Sequence, residues 1–513
     1  MAAFSVALAL TLHWGLILGR GFDGLYGQDP FGYYDYALQV WMSIQRFSLP
    51  PPYYWPMGYP ALVAAGFALT GFSSLAGQIV SSVAGAGVVL LSYALARDLL
   101  VQQGLSSSAA RWVGVIASLL AATSGQLWQW SISVMADTAA LFWATLAAWA
   151  LVRYGGTRRA RWLLLAAFAL AWAVMTRWVY GLLVIPFGAY WALVVYRPPT
   201  TDRRRLGTRG ERPTTSVEIR GSEAARSSQN SELSARHSSL VTRRSSLAIG
   251  HLLLAGLVGL AVLTPQIVLS AAFPDPVVGH QWLAGWSPIN AVRREFVTVD
   301  GYAAYPLPVA LFYAKAAASP RYLFPLFTPF LLLGLGVALW RRQWLVAALM
   351  IGWGAIAYGF LIGIPYQNFR FTLILLPAIV ILTAIGLRWT WEWLAPRWRS
   401  LLLVYALVGL AGGLWYSSRV LDEFIDQKEA DLAVVHWVEE QVAAGDRVLA
   451  FGLTLNLQHY TTLDVHELFY LAPEDLPSLL SDGRPTYVLV AVDDLNRQWH
   501  DHPPERSFRW LRQ

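Results

Sequence analysis

Cysteine is missing from all 513 residues, which excludes disulfides, thiolate metal sites and a thiol nucleophile. Charge is scarce as well. Asp, Glu, Lys and Arg supply 13% of the chain, against about 25% in an ordinary soluble domain. A soluble protein of this length would need far more polar surface to cover its core. Lysine occurs only twice, at Lys315 and Lys428, beside 36 arginines. No internal repeat and no nucleotide-binding fold is visible.

What is present is apolar. The chain is 56% hydrophobic and 14% aromatic, with a mean hydropathy of +0.44, and its apolar residues come in runs rather than in amphipathic alternation. That excludes a soluble enzyme, a disordered chain and a nucleic-acid reader. The net charge of +7 does not point to nucleic acid either, because the arginines cluster in short loops between apolar runs, as in membrane proteins. The first 20 residues lack a basic leader region and a clear small-residue cleavage site, so they read as a retained span.

A span takes about 20 mainly apolar residues. Eleven segments qualify: 2–19, 75–96, 112–127, 135–152, 162–176, 178–196, 247–271, 322–340, 343–363, 371–387 and 400–416. A twelfth run, 59–72, is short and opens with Gly-Tyr-Pro, which suits an interfacial or re-entrant helix. Loop charge supports that choice. With the N-terminus inside, one side collects Arg97, Arg111, Arg153, Arg158, Arg159, Arg161, Arg341, Arg342, Arg388, Arg397 and Arg399. The positive-inside rule makes that side cytoplasmic, and a crossing by 59–72 would turn the later clusters outwards. The expected placement is therefore the cytoplasmic membrane, with the N-terminus in the cytoplasm and the C-terminal part outside it.

Two units are expected: a transmembrane domain over 1–417 and a small extracytoplasmic α/β domain over 418–513. Residues 429–442 read as helix, and 447–451 and 487–492 as strands. Within the first unit, 197–246 carries eleven Arg against five acidic residues and almost no apolar periodicity. It reads as a disordered cytoplasmic loop, with a lipid-binding tether as the functional alternative.

The outward loops, 20–60 and 272–321, carry the candidate chemistry. Residues 21–60 hold twelve aromatics and three aspartates, Asp23, Asp29 and Asp35. Tyr33, Tyr34, Ala37, Leu38 and Trp41 have helical spacing after Pro30, which predicts an amphipathic helix along the membrane surface. Asp29 sits where either a helix N-cap or a general base would stand, whereas Asp23 and Asp35 read as solvated. Asp137 opens the fourth span, again as cap or functional acid. Two outward carboxylates around one cavity suit acid–base work or a divalent cation, the one cofactor this reading leaves open. Arg177, Arg293, Arg294, Lys315, Arg321 and Arg370 lie on the same side, where the positive-inside rule disfavours them. An anionic ligand or headgroup snorkelling would account for them.

Together these segments, GQDPFGYYDYA, WPMGYPALVAA, MADTAALF, an Arg-Trp-x-x-Gly hairpin and NFRFTLILLP, resemble the GT-C superfamily of polytopic glycosyltransferases. The resemblance is closest to the bacterial branch related to protein O-mannosyltransferases, the lipid A aminoarabinose transferase and RgtA/B/C/D-like enzymes. It covers roughly residues 1–417. It implies transfer of a hexose or pentose from a polyprenyl-phosphate donor to a glycan, lipid or protein acceptor, with inversion. It further implies Asp29 as catalytic base with Asp137 beside it. Arg177, Arg370, Lys315 and Arg293 become carrier-phosphate ligands, and Tyr33, Tyr34 and Tyr59 sugar or acceptor contacts. The family's first loop often has two adjacent acids, and here Pro30 follows Asp29. The alternative readings are a lipid-linked sugar flippase or transporter and a non-catalytic glycolipid-binding protein. A transporter would be expected to show repeats and ionisable residues near the midplane.

Overall fold

The structure, a computed structural model, describes residues 2–196, 223–273, 285–298 and 301–513, with only the backbone path given for 223–246. Ten helices come first: α1 (Ala2–Arg20), α2 (Gln28–Gln45), α3 (Gly58–Thr70), α4 (Leu75–Gln102), α5 (Ser107–Ala122), α6 (Gly125–Ile132), α7 (Ala136–Thr157), α8 (Ala160–Thr176), α9 (Val184–Tyr196) and α10 (Glu223–Ala272). Later helices cover Thr328–Trp340, Gly352–Leu361, Leu376–Trp393 and Pro396–Gln441.

Among the described residues seven helices are long and apolar enough to cross a membrane, and eight if the bent pair α6–α7 counts as one span. Three of the expected eleven spans are shorter apolar helices: α5, α8 and Pro325–Trp340. The chain is a multi-pass membrane protein. At 13 residues, α3 rises only about 20 Å, too little for a hydrocarbon core of about 30 Å, in keeping with its expected interfacial role.

Packing follows from small residues placed at regular spacing. One stripe of α1, Ser5, Ala9, His13 and Ile17, is buried, and it packs on α4, where Ser81, Ser82 and Gly85 leave room. A Cβ on Gly85 would lie 3.1 Å from His13 Cε1. The tightest crossing joins Thr328–Trp340 to Leu376–Trp393: a Cβ on Gly334 would fall 1.8 Å from the Leu382 carbonyl oxygen, and one on Gly386 1.9 Å from that of Phe330. Backbones approach this closely only where both partners are glycine.

Two expected boundaries differ. Residues 197–222 of the expected disordered loop lie outside the described residues, whereas from Glu223 the backbone is helical and continuous with the span that ends at Ala272. The helix Pro396–Gln441 runs through the expected boundary at 417/418, so span and C-terminal domain share one continuous helix. Beyond it lies a three-stranded parallel sheet in the order β4 (Asp464–Glu467), β3 (Arg447–Ala450), β5 (Thr486–Leu489). The central strand β3 is buried along its whole length. A separate antiparallel hairpin, β1 (Glu295–Thr298) and β2 (Gly301–Ala304), precedes the later spans.

Candidate active site

Four chain segments end on the face that carries the C-terminal domain, and each delivers one charge. Gly27, in a left-handed conformation (φ 81°), turns the chain into α2, whose first turn holds Asp29. The break between α6 and α7, a bend of 116°, leaves Met135 extended and puts Asp137 in the first turn of α7. Neither carboxylate is the N-cap residue. Both lie one position or more inside the helix, where the positive end of the helix dipole favours an anion. Arg177 is the extended residue that terminates α8. Arg370 belongs to the 3-10 turn Phe369–Leu375, whose start is fixed by Asn368 Oδ1 accepting from the Arg370 backbone N–H at 3.0 Å.

These four side chains meet. Arg177 Nη2 donates to Asp137 Oδ2 at 2.6 Å, and Arg370 Nη2 lies 2.6 Å from Asp29 Oδ2. Arg370 Nε is 3.8 Å from Asp137 Oδ2, so Arg370 stands between the two acids. All four are largely buried, with side-chain exposures from 8% to 20%. Aromatic rings form the walls. Trp55 lies 5.2 Å from the Arg177 guanidinium, and Trp130 and Phe371 each 5.5 Å from that of Arg370. Two carboxylates and two guanidiniums balance, which is how ionised groups persist at low dielectric.

Tyr33 borders this cluster from α2. Its ring packs edge-on against Tyr59 at 5.3 Å, and its hydroxyl is buried without a hydrogen bond to any described residue. Burial pushes that hydroxyl well above its ordinary pKa, against the opposing pull of Arg177, so Tyr33 stands as an unused donor beside two carboxylates. Tyr59 and Tyr34 are placed differently from the expectation. The Tyr59 hydroxyl is 2.9 Å from Ser81 Oγ and donates to the Gly77 carbonyl at 3.2 Å, pinning α3 to α4. That of Tyr34 donates to the Phe72 carbonyl at 3.1 Å. Lys315 is exposed and forms no ion pair with any described residue, and Arg293 lies in a cavity against the C-terminal domain, apart from the cluster. Among the described residues no three His, Asp or Glu side chains converge to hold a metal. Asp29 and Asp137 already face guanidiniums, so the donor set does not suit a divalent cation.

Asp23 departs from the expectation most. Instead of being solvated, it pairs with Lys428 of the helix Pro396–Gln441 and accepts from the Tyr460 hydroxyl at 2.5 Å. Lys428 also donates to that hydroxyl at 3.0 Å and is itself 4% exposed. Nearby Arg20 reaches Asp422 at 2.8 Å, Asp426 at 2.5 Å and Glu429 at 3.3 Å along the same helix. These contacts fasten the loop before Asp29 to the C-terminal domain. The rarity of lysine was the one sequence signal that could have singled out Lys428.

An apolar groove of about 750 Å³ runs between α8, α9 and α10. It reaches from Leu163 near the start of α8 to Val174 and Gly181 on either side of Arg177, with Gly256 and Gly259 on its far wall.

Residues 55–204 match the family model described as dolichyl-phosphate-mannose-protein mannosyltransferase. Among solved structures the chain is similar to ArnT from Cupriavidus metallidurans bound to undecaprenyl phosphate, at 13% identity over 97% of this chain and 91% of that one, with a TM-score of 0.58. The apo state of the same protein gives 0.57. An Archaeoglobus fulgidus oligosaccharyltransferase tethered to an acceptor peptide matches at 11% identity over 95% of this chain and 68% of that one, with a TM-score of 0.51. No curated protein matches by sequence. The fold is thus the GT-C fold that the sequence resembles.

Proposed function

We propose that this chain is a membrane glycosyltransferase that moves a sugar from a polyprenyl-phosphate carrier to an acceptor hydroxyl at the non-cytoplasmic face of the cytoplasmic membrane. The observation that carries the proposal is the buried chain Asp29–Arg370–Asp137–Arg177, with an apolar groove that reaches Val174 and Gly181 on either side of Arg177 in the chain. Undecaprenyl phosphate is the ligand of the similar ArnT structure, and a polyprenyl tail has the shape and apolarity of the groove.

In this reading the carrier phosphate takes Arg370 and Arg177 as ligands, since a guanidinium fork matches phosphate oxygens as well as it matches carboxylates. Phosphate binding draws Arg370 from Asp29, whose basicity rises once the adjacent cation is shared. Asp29 then accepts the proton of the acceptor hydroxyl as that oxygen attacks the anomeric carbon. The bond from that carbon to the phosphate oxygen breaks with inversion, and the carrier leaves as its phosphate, held by the same arginines. Tyr33 is a donor to the sugar, and the surrounding Trp and Tyr rings exclude water, the competing acceptor.

Purified protein in liposomes, given a panel of polyprenyl-phosphate sugars and a mixed acceptor extract, is expected to release free carrier. Asp29→Asn is expected to lower that release by roughly 10²–10⁴-fold with carrier binding retained. Release by the variant at the parent rate would remove Asp29 from the chemistry, and no release from any donor would overturn the reading.

A further inference from the structure

We propose that the cavity between the β1–β2 hairpin and the C-terminal domain is a binding site for an anionic saccharide, and that it seats the acceptor. The second half of this rests on the transferase reading, and the first half does not. The cavity measures about 610 Å³, within the usual range for small-ligand sites. None of its lining residues belongs to the Asp29–Arg370 cluster.

Its two walls are held in place by backbone contacts. Tyr302 N–H donates to the Gln498 carbonyl at 2.8 Å. Gly301 precedes it at φ +86°, where a Cβ would fall 2.2 Å from that same oxygen. Only glycine lets the hairpin lie so close to the C-terminal domain. On the hairpin side, Asn290 is buried and donates through Nδ2 to the carbonyls of Gly285 (2.9 Å) and Gly363 (2.8 Å), which fixes the segment that presents Arg293. The Arg293 backbone is held at both ends, by the Asn290 carbonyl at 3.1 Å and by the Val309 N–H at 3.3 Å.

The side chains then define the ligand. The Arg293 guanidinium stands 5.3 Å from the buried Phe296 ring and forms no ion pair with any described residue. By contrast Arg177 and Arg370 already face carboxylates, so Arg293, exposed on the hairpin side, is a cation without an ion-pair partner among the described residues. Opposite it, Phe469 and His502 line the cavity, and each packs edge-on against Trp499, at 5.7 and 6.1 Å. That braced aromatic wall offers a face to a pyranose ring, and the His502 ring nitrogens and the guanidinium supply polar contacts. A guanidinium selects carboxylate or phosphate, and the aromatic wall selects a ring rather than a bare ion. The chemical class is therefore a sugar bearing phosphate or carboxylate. The cavity also lies within a short stretch of chain from the charged cluster. Pro365 lines it and is five residues from Arg370, a chain reach of at most about 18 Å, comparable to a few linked sugars.

The test uses full-length protein in nanodiscs and four probes: glucose 6-phosphate, glucuronate, glucose and inorganic phosphate, read by saturation-transfer NMR and competition. The two charged sugars are expected to bind at least about tenfold more tightly than glucose. Arg293→Gln is expected to abolish that preference, Arg293→Lys to keep part of it, and Arg370→Gln to leave it unchanged. Glucose binding as tightly as glucuronate would overturn the proposal. So would inorganic phosphate matching glucose 6-phosphate, or a preference lost in Arg370→Gln and kept in Arg293→Gln. Carrier release from polyprenyl-phosphate sugars is scored separately. If release is observed and Arg293→Gln raises the acceptor KM with kcat preserved, the acceptor role stands. If release is never observed while charged sugars still bind through Arg293, the transferase reading fails and the saccharide site survives.

Discussion

At the residue scale, the site is a problem of compensating charge. Asp137 is 7% exposed and Arg177 likewise, so each charge would be buried without compensation if the other were removed. Asp137→Asn retains the shape and leaves Arg177 buried and uncompensated, which is expected to cost about 3–5 kcal/mol of stability. Adding Arg177→Gln removes the stranded cation, so the double variant is expected to regain most of the thermal stability in detergent while transfer stays low. A single Asp137→Asn variant that melts with the parent would show that the pair is not desolvated as the geometry requires. The four charges stood out individually as acids and arginines at the edges of apolar runs, where helix capping and headgroup snorkelling were the competing explanations. Their pairing was not legible. The sequence reading divided them into acids for chemistry and arginines for phosphate, and only the fold shows Arg370 standing between the two acids.

At the scale of elements, the orientation of α2 depends on what holds the loop before it. Lys428, Asp23 and Tyr460 come from the long helix, the first loop and the C-terminal domain, separated by up to 437 positions. No local pattern predicts such a contact, which is why Asp23 read as solvated, whereas most apolar runs, each set by its own residues, coincide with helices whose ends shift by several positions, as 112–127 does against Ser107–Ala122. Lys428→Met is expected to lower stability by about 1.5–3 kcal/mol, as for a hydrogen bond to a charged group, and Tyr460→Phe by about 0.5–1.5. Thermal melts of the two variants check the order, and a larger loss for Tyr460→Phe would contradict it. The helix crossing at Gly334 and Gly386 is stricter, because the obstacle is backbone rather than a mobile side chain. Gly386→Ala is expected to cost about 1–3 kcal/mol through forced separation of the helices. An unchanged melt would mean that the pair packs less closely than described.

For the whole molecule, contact and charge decide different things. Arg20 at the end of α1 touches the helix Pro396–Gln441, and Asp29 touches Arg370. The first loop, the reaction cluster and the C-terminal domain therefore share one face, and these contacts would be broken if α3 crossed the membrane and inverted everything after it. They say nothing about which face of the membrane this is. The arginine clusters at 97–111, 153–161, 341–342 and 388–399 are expected on the opposite face, and the proposed orientation follows the positive-inside rule in putting that face in the cytoplasm. The absence of cysteine makes both statements testable without background. Single cysteines at exposed Arg46 and Arg484 are expected to react with a membrane-impermeant maleimide in sealed right-side-out vesicles. Cysteines at exposed Ser107 and Arg161 are expected to react only after permeabilisation. Labelling of Arg46→Cys and Arg484→Cys from opposite sides would break the fold described. Labelling of all four in the reverse sense would keep the fold and overturn the orientation. That second outcome would also place the reaction cluster in the cytoplasm, where Asp29 would face a different set of acceptors.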